Sequence, residues 1–318
     1  MTVRILVLLL IFSAPTTTAA NPEDEFDRAA ALDAVLDVFE QRYVFPDVAG
    51  RMVAQVREKF AGGAYDDAVS LDQFADRLTR DLRSVSDDGH IMVYRIQSDA
   101  YFKADDEHLT QQEIAAHARK NFGFKEVKWL TGNVGYLRLD QFDYAEVAGP
   151  TVTAAVSFIA NADAVILDLR QNSGGREETV QFLTSYFLEH SVALLTFYDR
   201  DNEVVHQTHS LAYVPGPRLR DTPLYILTSD HTASAGEAFT YNLQALGRAM
   251  VVGKPTMGIA HWIDTVDLAD HALRVHVPYA RPESAKTGGN WEGRGVQPDI
   301  ETTVDSALSA AHMDAMEK

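Results

Sequence analysis

The chain of 318 residues contains no cysteine, which excludes disulfide bonds, thiol nucleophiles and cysteine-ligated metal sites. Basic residues are few beside acidic ones, with 28 Lys and Arg against 46 Asp and Glu and a net charge of −18. This balance argues against nucleic-acid binding, which needs clustered Lys and Arg, and against adsorption on anionic membranes. Beyond the N-terminus no apolar run is long enough for a membrane helix, so we expect no stable membrane insertion.

The first twenty residues have the pattern of an export signal. Arg4 gives a positively charged start, an apolar run covers residues 5–12, and small residues at 18–20 offer a cleavage site. We therefore predict a signal peptide over 1–20 and an exported mature chain, periplasmic or secreted, that begins near Asn21. An apolar N-terminal helix that stays in the protein is the alternative interpretation.

The remaining sequence changes from a helical to an alternating pattern. Apolar residues at helical spacing predict three helices over 21–86, separated at Pro46 and at Gly62-Gly63. Strands alternating with helices in the C-terminal part predict a layered α/β core with both sheet faces covered. The expected fold class is α/β, a small N-terminal helical bundle followed by this core. The predicted units are a helical domain over 21–97, a connecting excursion or lid over 98–124, and a core over 125–318.

The stretch from Pro223 to Leu246 joins a short apolar strand to an amphipathic helix, with Ser234 at the junction. A hydroxyl at such a junction lies beside free backbone amides and the positive end of the helix dipole. Those amides can hold the oxyanion that forms when a hydroxyl attacks a carbonyl. Ser234 and Glu237 also form S-x-x-E, an ordinary capping box. This stretch alone leaves both interpretations open and favours the cap.

Three further stretches carry more glycine and charge than packing requires. One ends in Gly174-Gly175 after a buried strand, where glycine lets the backbone approach a ligand closely. No phosphate-binding motif accompanies it, and an ion pair between Asp168 and Arg170 is the favoured reading of its charges. The second ends in His90, one of eleven histidines. The third, residues 291–299, flanks the Glu292 carboxylate with glycine.

Together these stretches resemble the tail-specific, C-terminal-processing serine proteases. The resemblance is strongest to the branch that contains the tricorn protease core and the repeats of interphotoreceptor retinoid-binding protein. The matching segments include LTRDLRSVSDDGHIMV through His90, VILDLRQNSGG through Gly175, LTSDHTASAGEAFTYNLQ around Ser234 and WEGRGVQPDI around Glu292. The resemblance covers nearly all of the mature chain. The motifs are specific in combination, although none is specific alone.

The resemblance implies a role for each matching residue. Ser234 matches the nucleophile, His90 the general base, and Glu292 a carboxylate in the charge network that supports the base. An oxyanion hole is implied at three backbone positions, Gly174, Gly175 and Ala235. The implied substrate is a peptide or protein, and the implied chemistry needs no metal or organic cofactor.

The sequence departs from the family pattern at two informative positions. Many members place a catalytic lysine where this chain has Ile259, and tricorn has a serine just before the histidine, where this chain has Gly89. A neutral histidine has a pKa suited to a base at neutral pH, so His90 is the preferred base. His261 is its nearest competitor. A Ser–Lys arrangement that uses Lys254 or Lys286 is less favoured.

The sequence therefore predicts an exported serine peptidase that hydrolyses peptide bonds through an acyl-enzyme. A rival belongs to another class: a non-catalytic module that binds apolar ligands, as the retinoid-binding repeats do. The joint presence of serine, histidine, glutamate and the glycine loop favours the enzyme, because binding alone has no chemical need for that set. The sequence predicts neither the oligomeric state nor the cleavage preference.

Overall fold

A computed structural model describes residues 26–96 and 109–317. The predicted signal peptide over 1–20 and the part of the excursion up to residue 108 lie outside the described residues. The helices are α1 (Arg28–Arg42), α2 (Pro46–Ala61), α3 (Leu71–Ser86), α4 (Gln111–Arg119), α5 (Ala145–Phe158), α6 (Glu177–Ser185), α7 (Ala235–Ala245) and α8 (Ala307–Glu317). The strands are β1 (Met92–Arg95), β2 (Phe124–Leu130), β3 (Val134–Leu139), β4 (Ala164–Asp168), β5 (Ala193–Tyr198), β6 (Val204–His209), β7 (Leu224–Thr228), β8 (Met250–Gly253), β9 (Trp262–Leu268), β10 (Leu273–Ser284) and β11 (Ile300–Glu301).

A six-stranded sheet in the order β11-β8-β7-β4-β3-β2 forms the centre of the core. Its strands run parallel except for the antiparallel edge strand β2. Strands β4 and β7 are buried along their whole length, as strands covered on both faces are. Alternate residues accordingly face opposite layers: Val165 and Leu167 join the cluster under α5, α6 and α7, whereas Ala164 and Ile166 join the cluster under α8.

A second sheet in the order β1-β10-β5-β6, with β9 also paired to β10, carries the N-terminal helices. Helices α1 to α3 bury their apolar faces in one cluster with Val93 of β1 and with Leu273, Val275 and Val277 of β10. The antiparallel pairing of β1 with β10 joins Met92 to His276, far apart in the chain. The N-terminal helices therefore share their core with strands from the C-terminal half.

The predicted α/β fold class, with N-terminal helices before a layered core, is confirmed. The sequence pattern predicts a helix over 145–162 and a strand over 273–277, whereas α5 ends at Phe158 and β10 continues to Ser284. Helix α8 and the short strand β11 are additional to the predicted elements. The division into domains at 97 and 125 stays a prediction. No helix in the described ranges is both long and apolar enough to cross a membrane.

The parallel sheet gathers the chemistry-bearing loops at one edge. The carboxyl ends of β4, β7 and β8 lead into the glycine loop, the Ser234 turn and the segment 254–261, respectively. Neighbouring parallel strands end at the same edge of a sheet, which is where open α/β sheets place their ligand sites. His90 approaches this edge from the other layer, since it lies between α3 and β1.

Candidate active site

Ser234 lies on a strained turn between β7 and α7. Its backbone has φ 51° and ψ −116°, whereas an ordinary N-cap residue is extended. A non-glycine residue in such a region costs on the order of 1–3 kcal/mol and persists only where its surroundings impose it. The Ser234 hydroxyl oxygen lies 3.1 Å from Nε2 of His90. The strained turn thus presents the hydroxyl to an imidazole.

Glu237 holds this turn from inside the protein. Its carboxylate is fully buried and accepts the backbone amide of Ser234 at 2.8 Å. The same carboxylate accepts the Thr256 hydroxyl at 2.5 Å and the amides of Gly258 and Ile259 at 2.6 and 3.0 Å. Burial raises the pKa of Glu237, and these four donated hydrogen bonds oppose that shift. Three of the four partners are backbone amides, which can only donate, and this favours a carboxylate as their acceptor.

The glycine loop approaches the turn closely. A Cβ on Gly174, whose φ is +98°, would lie 2.8 Å from the Ser234 Cβ and 3.2 Å from the Ala235 nitrogen. The Gly174 amide itself donates to the Asn172 side chain at 2.9 Å. Within the described part of the chain, the amides of Gly175 and Ala235 have no hydrogen-bond acceptor. The Gly175 amide in the loop and the Ala235 amide at the start of α7 are therefore free donors, and Gly174 is not one of them.

The loop is fixed from its other side by Phe142. The Phe142 amide donates to the Gly174 carbonyl at 2.8 Å, and its own carbonyl accepts the Arg176 amide at 2.8 Å. Asn172 is fully buried and donates its side-chain amide to the Leu139 carbonyl at 3.0 Å. The backbone on both sides of Gly175 is thus tied to the end of β3.

His90 is held by the turn after α3. Its backbone amide donates to Asp88 Oδ1 at 3.0 Å. Arg83 of α3 braces the same turn, donating to the Gly89 and Ile91 carbonyls at 2.7 Å each. The other ring nitrogen of His90, Nδ1, is buried and finds no partner among the described residues. The ring is thus fixed through its backbone and through Ser234.

Behind His90 lies a buried network that begins with Asp88. The Asp88 carboxylate, 1% exposed, accepts the Tyr43 hydroxyl at 3.2 Å and lies 2.7 Å from His261 Nδ1. Glu292 Oε2 lies 3.7 Å from the same His261 nitrogen and accepts the Ala260 amide at 2.5 Å. Glu292 therefore reaches His90 only through His261 and Asp88.

The network shifts the pKa of each member. Burial lowers the pKa of His90 to about 4, against the opposing charge of Asp88. Burial also raises the pKa of Glu292 to about 7, and Asp88 adds to that rise while His261 opposes it. Burial acts against the charged forms of Asp88 and His261 too, but their mutual hydrogen bond and attraction outweigh it. The net result is a lowered pKa for Asp88 and a raised pKa for His261.

Asp88, His261 and Glu292 are close enough together to be considered as a metal site. Within the described ranges, they are the one group of histidine and acidic residues whose ligand atoms could surround an ion. The atoms of Asp88, His261 and Glu292 lie within 4.8 Å of one another. They are already engaged with one another, with the Tyr43 hydroxyl and with the Ala260 amide. The arrangement is that of a hydrogen-bonded charge network.

The structure brings His90 to Ser234, places Gly174 against Ser234 and Ala235 with Gly175 as the next residue, and puts Glu292 at the far end of the network. Of the alternative bases, His261 directs Nδ1 to Asp88 and Lys254 lies 3.6 Å from Glu301. The predicted ion pair of Asp168 with Arg170 forms at 2.6 Å.

Two residues in the site were missed as functional by sequence reasoning. Asp88 was treated only as part of a turn, and Glu237 only as part of a capping box. In both cases the signal was present, a carboxylate beside glycine or at an N3 position. The burial that gives these carboxylates their importance depends on partners remote in the chain, including Tyr43 and the 256–259 segment.

The two departures from the family pattern meet in space. A Cβ on Gly89 would lie 2.4 Å from Cγ2 of Ile259. The isoleucine side chain therefore occupies the space beside the base turn that any larger residue at position 89 would need.

Two family models match the chain. Residues 133–302 match the model of peptidase family S41, and residues 27–122 match the N-terminal domain of this family in eukaryotic IRBP. The carboxyl-terminal-processing protease of Picosynechococcus is 32% identical over 127 residues, which cover 39% of this chain and 29% of that protein. The carboxy-terminal-processing protease of Bartonella bacilliformis is 29% identical over 185 residues, 55% of this chain and 40% of that protein. The chain thus matches less than half the length of these relatives.

Solved structures share the fold. A peptidase structure from Parabacteroides merdae aligns with a TM-score of 0.62 at 19% identity, over 92% of this chain and 98% of that chain. The photosystem II D1 C-terminal processing protease aligns with a TM-score of 0.56 at 16% identity, over 88% and 94% of the two chains. Since the S41 model covers more than half of the sequence, this chain belongs to peptidase family S41.

Proposed function

We propose that this protein is an exported serine peptidase that hydrolyses peptide bonds through an acyl-enzyme. One observation carries the proposal: the Ser234 hydroxyl lies 3.1 Å from His90 Nε2 on a turn strained enough to need support. A hydroxyl is a weak nucleophile at neutral pH unless a base lies within hydrogen-bond distance. Family membership supports the reaction class, and the free amides beside the hydroxyl support acyl transfer.

In the proposed reaction, His90 Nε2 takes the Ser234 proton as the oxygen attacks the substrate carbonyl. This requires the neutral ring to carry its proton on Nδ1. The C–N bond of the tetrahedral intermediate then breaks, and His90 gives the proton to the leaving amine. A water molecule, deprotonated by the same nitrogen, hydrolyses the ester in the second half. The lowered pKa of His90 keeps the ring neutral, and so able to accept a proton, at neutral pH.

The amides of Gly175 and Ala235 are the proposed oxyanion donors. Both lack an acceptor in the described part of the chain, and Ala235 is the first residue of α7, where the helix dipole favours negative charge. Loss of one oxyanion donor costs on the order of 10²–10³ in kcat in other serine peptidases. Gly174, whose amide is bonded to Asn172, contributes its lack of a side chain instead.

Glu292 is proposed to support the base from a distance, through His261 and Asp88. Its carboxylate sits 3.7 Å from His261 Nδ1 and is held by the Ala260 amide. A negative charge at this end of the network stabilises the positive charge that His90 acquires during the reaction. The effect acts through space, because 3.7 Å is too long for a hydrogen bond between Glu292 and the His261 ring.

Export is proposed from the N-terminal sequence. Removal of residues 1–20 would leave a mature chain that begins near Asn21, and protein-sequencing of material secreted by a bacterial host tests this. The substrates of the mature chain are proposed to be peptides or proteins outside the cytoplasm.

Covalent labelling tests the nucleophile. We expect a fluorophosphonate probe to modify the full chain at Ser234, as mapped by mass spectrometry, and the Ser234→Ala variant to remain unlabelled. Ser191→Ala is a matched control, because Ser191 also has a left-handed φ of 57° but is exposed on a turn before β5. An adduct at another residue, or no adduct in a folded preparation, would refute the peptidase and leave apolar-ligand binding as the better reading.

A further inference from the structure

The buried pair of Asp88 and His261 lies between Glu292 and the His90 turn, and its own contacts point to a role beyond relaying the Glu292 charge. We propose that these two residues position and charge the catalytic base: Asp88 fixes the His90 turn and supplies its nearest negative charge, and His261 holds Asp88 there. This inference rests on the proposed function for its consequence in catalysis, but its physical content can be measured without turnover.

The first support is the bonding of Asp88. Each of its oxygens accepts a hydrogen bond, Oδ1 from the His90 amide and Oδ2 from His261 and Tyr43. A carboxylate that is 1% exposed is stable as an anion only when it is paired and hydrogen-bonded in this way. The anion therefore has one fixed orientation, with one oxygen on the residue that serves as base.

The second support is the unsatisfied Nδ1 of His90. Whenever Nε2 takes the Ser234 proton, the ring becomes a buried cation whose Nδ1–H has no acceptor among the described residues. Stabilisation must then come through space from a nearby anion. Asp88 is the anion that raises the pKa of His90, while Glu292 lies against His261 instead.

The third support is the position of His261. The residue is 6% exposed, and the edge of its ring packs against Phe45 with centroids 5.5 Å apart. Its Nδ1 lies 2.7 Å from Asp88 Oδ2, so that nitrogen is not available to Ser234. Through this nitrogen, His261 therefore acts on the nucleophile by way of Asp88 and His90.

Each charged group near His90 either raises or lowers the pKa of its ring. Asp88 raises the pKa of His90, whereas His261, His276 of β10 and Arg83 of α3 lower it. Tyr43, Glu292 and Arg281 face the Asp88–His261 pair from the remaining sides. Removing the Asp88 charge should therefore lower the pKa of His90, and removing the His261 charge should raise it.

Two shape-conserving variants test this. Asp88→Asn keeps an oxygen for the His90 amide and removes the charge, while His261→Gln keeps a donor for Asp88 and removes the imidazolium. We expect the acid limb of Ser234 labelling against pH to move down in Asp88→Asn and up in His261→Gln, each by about 1 pH unit. At neutral pH, we also expect labelling in Asp88→Asn to be slower on the order of 10-fold or more, the scale of lost base assistance.

The control is a second buried histidine–aspartate pair in the described part of the chain. His117 Nδ1 lies 2.8 Å from Asp143 Oδ2, and both residues are as buried as the Asp88–His261 pair. His117→Gln and Asp143→Asn are expected to leave the midpoint of the acid limb unchanged. Slower labelling with no opposite shifts in Asp88→Asn and His261→Gln would mean that the pair is merely structural, and would overturn the proposal.

A second readout separates this proposal from the proposed function. The full chain labelled with ¹⁵N-histidine gives the protonation midpoint of His90 by NMR, whether or not the protein turns over substrate. We expect the same opposite shifts relative to wild type. If the wild-type protein fails to react with the probe but His90 shifts in this way, the positioning role stands and the peptidase fails. Unshifted or equally shifted midpoints overturn the positioning role alone.

Discussion

Glu237→Gln is the sharpest test of how the protein holds its strained serine. The substitution changes one oxygen of a fully buried carboxylate to NH₂ and leaves the shape almost unchanged. The amide nitrogen has no free lone pair, so it cannot accept from any of the four donors around Glu237. Its cost can be worked out from the two possible orientations.

With the NH₂ group at Oε2, it would face the backbone amides of Ser234 and Ile259, and both would lose their acceptor. With the NH₂ group at Oε1, it faces the Gly258 amide and the Thr256 hydroxyl. The Thr256 oxygen already accepts the Val296 amide and has a second lone pair. The Thr256 hydroxyl can therefore rotate so that this lone pair accepts from the NH₂ group. The second orientation is therefore preferred, and it leaves only Gly258 unpaired.

An unpaired buried amide costs about 1–3 kcal/mol, and hydrogen bonds to a charged group are stronger than those to a neutral one. Adding these effects, we expect Glu237→Gln to lower the free energy of unfolding by about 2–4 kcal/mol. Urea unfolding of the full chain measures this difference. Since the preferred orientation keeps the Ser234 amide bonded, we expect labelling at Ser234 to persist at a reduced rate.

Glu177→Gln is the matched control. Burial raises the pKa of Glu177 to about 7, with the neighbouring Glu178 adding to the shift, and no described residue forms a hydrogen bond with its side chain. A carboxyl group whose pKa is raised on folding destabilises the fold as pH rises through that interval. The amide should therefore be neutral or stabilising at pH 8. Equal effects of the two substitutions would refute the view that Glu237 acts through its four hydrogen bonds.

Two other substitutions test the loop and the far end of the network. Gly175→Ala should abolish Ser234 labelling or the fold itself, since a Cβ would lie 1.9 Å from the Phe142 carbonyl oxygen at φ +132°; a fully active variant, with crystallographically unchanged backbone, would contradict the described loop. Glu292→Gln should match the turnover of wild type below pH 6 and fall progressively below it above about pH 7. The reason is that burial raises the pKa of Glu292 to about 7, and only the ionised form differs in charge from glutamine. A constant ratio of the two kcat values across that range would exclude the assigned role.

Local sequence patterns are sufficient to predict most helices and strands of the core. The continuous apolar runs of β4 and β7 identify strands buried on both faces, and glycine pairs or proline identify the ends of α2. Helix α8 was not identified, because its apolar face is mostly alanine and carries little periodic signal. The long strand β10 was underestimated for a different reason: Pro278 and Pro282 interrupt its pattern, yet their missing donors are tolerated at an irregular register and at a change of partner strand.

In the candidate site, too, some residues can be placed from local sequence and others cannot. Ser234 and the glycine loop could be placed from local sequence, because a strand–turn–helix junction and a left-handed glycine are local features. The role of Asp88 could not, since its hydrogen-bond partners come from 45 and 173 residues away. Burial of a carboxylate is decided by such distant partners, and no spacing rule within one segment reports it.

The network also suits the proposed role of His90 as a base in a chain that lacks the lysine and the serine of the family pattern. The Ile259 side chain fills the space that a larger residue at position 89 would need, so isoleucine in this position requires glycine at 89. With neither hydroxyl nor ammonium in that space, the charge that supports His90 has to come from the other side of the turn. Asp88 lies there, oriented by His261, and both depend on the contact between the N-terminal helices and the segment after β8. The proposed chemistry at the edge of the parallel sheet therefore relies on the second layer, which brings His90 and Asp88 to the serine as one unit.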